Sequence, residues 1–264
     1  MKNNNFIIIA HRGESYDAPE NTHASINLAW KRNDDAVEID IQITKDERIV
    51  AIHDKSTLRT GGKLKRISSN TYADLLLVDV GKFKSKKWRS ERIPVLDDVI
   101  DKVPENKILF IEVKSDYRIV KPLKNLIRQK VLGLNQIKFI GFDINTMKLI
   151  KESLPGFKSY WITEGKHYKS KSALKSSLEE CKAAGLDGLD VQARKYLNSE
   201  VIQYVKNNGL KIYTWTVDDP VRAKQLYTDG IDGITTNRAS WLKNRLNEFT
   251  NTNKQITNKL QFSK

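Results

Sequence analysis

The amino-acid sequence predicts an α/β protein built as a closed (β/α)8 barrel, with a small basic insertion after the second-strand hairpin. Three observations point there. Short β-rich runs alternate with helical patterns along most of the chain, as βα units on a parallel sheet do. The stretch EIDIQITKDERIVAIHD (38–54) holds two strands with no room for a helix between them, so it reads as a hairpin. Removing the extra hairpin strand from nine strand candidates leaves the eight that close a barrel. A chain of 264 residues suits such a barrel as one domain.

In chain order, strands are expected at 6–10 (FIIIA), 36–44 (AVEIDIQIT), 48–53 (RIVAIH), 107–114 (KILFIEVK) and 137–142 (IKFIGF). Four more follow at 157–163, 186–192, 210–217 and 232–236. Helical patterns fall between them at 23–33, 94–103, 117–132, 145–153, 172–184, 198–208 and 220–229. Gly185, Gly209 and Gly230 each follow a helix, as C-caps leading into the next strand do. Thr22 is placed to cap the first helix. If the hairpin turn centres on Asp46 and Glu47, Lys45 faces Arg48 and Asp40 faces His53, which returns His53 to the neighbourhood of Glu38 and Asp40.

Residues 54–93 break the βα rhythm and read as an insertion. They carry eleven Lys/Arg against four Asp/Glu, a net of +7 and half of the chain's +14. Insertions in such barrels commonly sit at the C-terminal face, where a basic cap draws in anions. The expected layout is one catalytic barrel over 1–246 that includes this insertion, then a polar tail over 247–264. No apolar run is long enough to span a bilayer, and the N-terminal apolar stretch is too short for a signal peptide, so a cytoplasmic protein is expected. The single cysteine, Cys181, excludes an internal disulfide and a cysteine-rich zinc site, and its helical setting suits a buried inert thiol. Net charge attracts nucleic acid, anionic lipid and phosphorylated small molecules alike, and does not choose among them.

The chemistry lies at strand ends. The first strand ends at His11-Arg12, the second carries Glu38 and Asp40, the fourth finishes with Glu112 and Lys114, and the hairpin adds His53-Asp54. Side chains two apart on a strand share a face, so Glu38 and Asp40 point inward while Val37, Ile39 and Ile41 pack outward on helices. Three buried carboxylates without compensation are costly. One divalent cation, Mg²⁺ or Ca²⁺, resolves that cost, because Glu38, Asp40 and Glu112 offer hard oxygen ligands. Arg12 and Lys114 are suited to grip phosphate oxygens, and His11 and His53 to take and give a proton. Together these residues suggest phosphodiester cleavage. His23 and His167 lack such partners and are expected on the surface. The GGK at 61–63 lacks the spacing and the following Ser/Thr of a nucleotide-binding loop.

With those residues in view, the sequence resembles the glycerophosphodiester phosphodiesterase family. The resemblance rests on AHRG (10–13), PENT (19–22), VEIDIQITKD (37–46), HD (53–54), RIPVLDDVI (92–100), FIEVK (110–114), WTVDDP (215–220) and GIDGITTN (230–237). It implies a TIM-type barrel with a small inserted subdomain. It also implies hydrolysis of small anionic glycerophosphodiesters to glycerol 3-phosphate and an alcohol, with neither nucleic acid binding nor membrane insertion. The family's metal-binding acids fall on Glu38, Asp40 and Glu112, and its catalytic histidines on His11 and His53. Its phosphate contacts fall on Arg12 and Lys114, the Glu of PENT on Glu20, and its pocket aromatics on Phe142 and Trp215. Two departures stand out. The usual glycine before the second strand is missing, with Asn33 able to take its left-handed conformation, and Arg-Ala follows the final TN where proline is common. Two rival readings are a lipid-acting phosphodiesterase of the same superfamily, sphingomyelinase D-like or phospholipase-type, and a non-catalytic anion-binding protein.

Overall fold

The computed structural model of the protein describes residues 6–130 and 133–248. Nine strands form: β1 (Ile7–His11), β2 (Ala36–Ile43), β3 (Ile49–Ala51), β4 (Ile108–Val113), β5 (Ile137–Gly141), β6 (Lys158–Thr163), β7 (Gly188–Gln192), β8 (Lys211–Trp215) and β9 (Gly233–Thr236). Eight of them pair in parallel in the order β1-β2-β4-β5-β6-β7-β8-β9, and β9 pairs back onto β1 to close the barrel. β3 stands outside, antiparallel to the end of β2. Helices follow the expected rhythm at His23–Lys31, Leu96–Ile100, Val120–Arg128, Ile144–Ser153, Lys171–Ala183, Ser199–Asn207 and Pro220–Asp229.

Alternation along the strands divides two cores. Val37, Ile39, Ile41, Leu109 and Ile111 face outward into the layer between sheet and helices, where the largest apolar cluster lies. Ile9, Phe110, Ile140, Tyr160, Ile162 and Tyr213 fill the barrel interior. Low in that interior, Lys138 bonds the Tyr213 hydroxyl at 3.1 Å and lies 5.1 Å from the Phe110 ring centroid. Burial lowers its pKa to about 8. The polar inward set on β2 and β4 is thus confined to the end of the barrel where Glu38, Asp40 and Glu112 sit.

Several local expectations hold. Thr22 accepts from the Ser25 amide in a capping box, Asn33 is left-handed at φ 61°, and Gly185, Gly209 and Gly230 all have positive φ. Cys181 is buried, and burial pushes its thiol up to about 12, which leaves it inert. The hairpin register differs by one residue. Ile41 faces Ala51 and Ile43 faces Ile49, so Asp40 lies level with Ile52 rather than His53. Glu47, left-handed at φ 59°, makes the turn three residues long and shifts every pair by one. His23 and His167 are half-buried rather than on the surface. The 117–132 pattern opens as a 3-10 turn over Tyr117–Ile119 before its α-helix, and residues 131–132 lie outside the described residues.

A further helix, at 239–248, was not expected. It buries Ala239, Leu242 and Leu246 against the barrel core. It also carries the start of the expected tail, of which 249–264 lie outside the described residues. The insertion folds as short helices over Leu58–Gly61 and Tyr72–Leu76 with 3-10 turns over Ile67–Ser69 and Lys86–Trp88. It has a small core of its own, in which Ile67, Leu75, Val78 and Val80 pack on Val50 and Ile52 of the hairpin.

Candidate active site

Strand register builds the site. His11 lies level with Glu38 across β1 and β2, and Asp40 level with Glu112 across β2 and β4. Inward-facing positions on three adjacent strands therefore bring one histidine and three carboxylates to a single corner of the barrel mouth. Oxygens of Glu38, Asp40 and Glu112 lie within 4.8 Å of one another, and all three residues are buried. The cavity above them, of about 260 Å³, is lined by His11, Arg12, Glu38, His53, Glu112, Lys114, Phe142 and Trp215 among others. Eight of the ten sequence-derived residues thus line it. Asp40, fully buried, and Glu20, ion-paired with Arg12, are not among its lining residues.

The loop after β1 turns tightly to present these groups. Arg12 and Gly13 are both left-handed, at φ 56° and 78°, and a Cβ on Gly13 would lie 2.6 Å from the Ser25 hydroxyl. Only glycine fits both demands. The turned backbone aims the Arg12 amide at Glu38 Oε2, 2.9 Å away. The Arg12 side chain ion-pairs with Glu20 at 2.8 Å and with Asp40 at 3.0 Å. Asn21, also left-handed, holds Asp40 from the far side by donating to its Oδ2 at 2.8 Å and accepting from its amide at 3.0 Å.

One oxygen on each acid remains without a hydrogen bond: Glu38 Oε1, Asp40 Oδ1 and Glu112 Oε1. Lys114 Nζ supplies partial charge balance, ion-paired at 3.3 Å from Asp40 Oδ1 and 2.5 Å from Glu112 Oε1. The three acids respond differently. Burial, then the neighbouring carboxylates, pushes Glu38 well above its ordinary value. Burial and Asp40 raise Glu112 to about 7. Burial also acts upward on Asp40, but Arg12 and Lys114 outweigh it and hold that carboxyl below its ordinary value. Three converging carboxylates countered by a single ammonium are a hard donor set of the kind Mg²⁺ or Ca²⁺ takes.

Each histidine is fixed through Nδ1. His11 Nδ1 lies 2.7 Å from Asn237 Oδ1, while Asn237 Nδ2 donates to Asp218 Oδ2 at 2.7 Å. That second bond orients the amide so that its oxygen accepts from His11 Nδ1–H, which leaves Nε2 as the free lone pair. Burial, then Arg12, lowers the His11 pKa to about 4, so its ring is neutral at neutral pH. His53 Nδ1 lies 2.7 Å from Asp54 Oδ1, and Arg59 from the insertion grips Asp54 through its Nε at 2.7 Å. Bonding to Arg59 is the main cause that lowers Asp54 to about 2. Arg59 also bonds both oxygens of Glu20 at 2.7 Å, tying the insertion to the loop after β1.

Across the mouth, Phe142 and Trp215 meet edge-to-face at 5.7 Å, with Lys114 Nζ 5.4 Å from the Phe142 centroid. Reading the sequence missed Asn21 and Asn237 as partners and named Asp54 without a role, although all three stand inside the quoted motifs. It also missed Asp190, a fully buried cavity-lining residue on β7 whose Oδ1 has no partner. Its signal was available: Gly188, Asp190 and Gln192 alternate with Leu189 and Val191, which marks Asp190 as inward-facing.

Residues 11–240 match the model of the glycerophosphoryl diester phosphodiesterase family. The chain belongs to that family. As a member it is a phosphodiesterase, and the site just described lies within the matched residues. The Bacillus subtilis protein YhdW, to which glycerophosphodiester phosphodiesterase activity is ascribed, is 32% identical over 87% of this chain and 93% of its own length. A glycerophosphodiester phosphodiesterase of Caldanaerobacter subterraneus is 27% identical over 90% of this chain and 96% of its own. Among solved structures, an Oleispira antarctica phosphodiesterase in complex with its product sn-glycerol-3-phosphate shares the fold. It superposes with a TM-score of 0.84 at 23% identity, covering 91% of this chain and 96% of that one.

Proposed function

We propose that this phosphodiesterase hydrolyses glycerophosphodiesters to glycerol 3-phosphate and an alcohol in a metal-dependent reaction, with His11 and His53 as the proton-transfer pair. The observation that carries the reading is the meeting of three converging buried carboxylates with two histidines, each held through Nδ1, at one mouth. Glu38, Asp40 and Glu112 would hold a divalent cation, Mg²⁺ or Ca²⁺, which would supply positive charge to offset the negative charge of the phosphate. Arg12 and Lys114 line the cavity and grip the phosphate as charge builds on its oxygens. Glu20 acts through Arg12, holding its guanidinium in place.

The hydrogen bonds favour one division of labour. Neutral His11, with Nε2 free, takes the proton of the attacking hydroxyl as the new P–O bond forms. His53, oriented by the bond from its Nδ1 to Asp54, gives a proton to the departing alkoxide as the old P–O bond breaks. Attack by water gives glycerol 3-phosphate directly, whereas attack by the glycerol 2-hydroxyl first gives a cyclic phosphate and the free alcohol, and water then opens the ring with the two histidines exchanging roles. Phe142 and Trp215 offer the apolar wall against which the substrate's carbon atoms pack. We take residues 1–246 as the catalytic unit and the cytoplasm as its location, on the sequence readings given above.

Replacing His11 or His53 by alanine tests the pair. Each variant should lose on the order of 10²–10⁴ in turnover while keeping the circular dichroism and melting of the parent. Near-parent turnover in either folded variant would remove that histidine from the mechanism.

A further inference from the structure

The insertion exposes far more apolar surface than a cap over a small soluble substrate needs. Thirteen large apolar side chains are exposed among the described residues, and five of them fall in this 40-residue stretch: Leu58, Leu64, Leu76, Leu77 and Phe83. Leu64 and Leu77, at 69% and 75%, are the two most exposed of all. The segments that carry the leucines meet through their backbone neighbours. Thr57 donates to the carbonyls of Lys65 and Lys63, at 3.0 Å and 2.5 Å, which lays Leu64 beside the turn that begins at Leu58. Gly61 packs so closely on Val78 that a Cβ there would lie 2.2 Å from a Val78 methyl, so the backbone at Leu77 passes near the same turn.

This surface lies at the barrel mouth. Arg59, next to Leu58, reaches Glu20 and Asp54. Lys84, next to Phe83, bonds the Ser15 carbonyl at 2.7 Å beside exposed Tyr16. Around the apolar points stand the exposed cations Lys63, Lys82, Lys86, Lys87 and Arg89, none of which has a carboxylate within ion-pair distance among the described residues.

Cations alone would suit any polyanion, and a soluble diester needs no exposed leucines. Leucines interleaved with lysines that have no carboxylate partner gain from one kind of partner, an anionic bilayer. There apolar side chains settle at the headgroup boundary while ammonium groups stay level with lipid phosphates. We propose that the insertion docks the protein peripherally on an anionic membrane surface and turns the barrel mouth toward it. Docking of this kind spans nothing, and among the described residues no helix is long and apolar enough to cross a membrane.

Co-sedimentation of the full chain with vesicles tests this independently of catalysis, since binding is read without turnover. Vesicles of equimolar phosphatidylcholine and phosphatidylglycerol should pellet the protein, and phosphatidylcholine alone should not. The double variants Leu64→Asp/Leu77→Asp and Lys86→Glu/Lys87→Glu should each weaken binding on the order of tenfold or more, with unchanged melting and unchanged hydrolysis of glycerophosphocholine. Leu64→Ser/Leu77→Ser serves if the aspartate pair fails to fold. Failure to bind the anionic vesicles would overturn the proposal. So would binding that the leucine variants leave intact and a short oligonucleotide competes away, which would mark a general polyanion surface.

Discussion

Asp54 accepts a hydrogen bond from His53 Nδ1 at 2.7 Å while its other oxygen is held by Arg59, a residue of the insertion. The insertion therefore reaches the candidate proton donor in two steps. Arg59→Ala releases both Asp54 and Glu20, so that His53 loses its orientation and Arg12 loses part of its support. Turnover should fall on the order of tenfold or more, mainly in kcat. Arg59→Lys should restore little, because one ammonium does not reproduce the forked contact. A rise in KM with kcat unchanged would assign Arg59 to binding instead.

The Asn237 amide sets the His11 tautomer through its bond to Asp218. Asn237→Ala leaves the imidazole free to turn and to exchange its Nδ1 proton. Its expected signature is a lower kcat with little change in KM, since the substrate contacts remain. Steady-state kinetics over a substrate series separates the two constants, and an unchanged kcat would show that the tautomer lock is dispensable.

Metal affinity should depend on pH. In the metal-free protein Glu112 titrates at about 7 and Glu38 also lies above its ordinary value, both chiefly through burial. Ligation needs the ionised forms. As pH falls through 7, protons compete more strongly, and affinity should weaken by up to about tenfold per pH unit for each proton displaced. Calorimetry in buffers of different ionisation enthalpy counts the released protons directly. An affinity that is flat from about pH 8 to about pH 5 would contradict this account of the cluster.

Asp190 offers a stability test. Burial, then Glu112, raises its pKa well above the ordinary value. A carboxyl raised on folding costs nothing while both states are protonated. It destabilises the fold once pH exceeds the unfolded value, at up to about 1.4 kcal/mol per pH unit until the folded value is reached. Asp190→Asn should therefore melt increasingly above the parent as pH rises from about 4, both measured in EDTA. A gap that does not widen would mean that Asp190 has a partner in solution.

The site was more legible than its supports. Two-residue alternation in VEIDI and FIEVK was enough to turn Glu38, Asp40 and Glu112 inward, because one face of a barrel strand must go to the helices. Hairpin register was harder, since it depends on Glu47 adopting a left-handed conformation that its side chain does not advertise. The roles of Asn21, Asp54 and Asn237 escaped for a related reason. They depend on which way a loop side chain turns, and no periodicity fixes that. The helix at 239–248 was hidden because Trp241, Leu242 and Leu246 run straight into a polar, Asn-rich tail that blurs the pattern.

The central claim is metal-dependent release of glycerol 3-phosphate. Its most direct measurement is that product's appearance from a panel of glycerophosphodiesters, first after EDTA treatment and then with Mg²⁺ or Ca²⁺ restored. The account predicts negligible release in EDTA, recovery with one of the two cations, and no recovery in a Glu38→Gln/Glu112→Gln variant. Release that is indifferent to EDTA, or no release from any member of the panel under either cation, would contradict it.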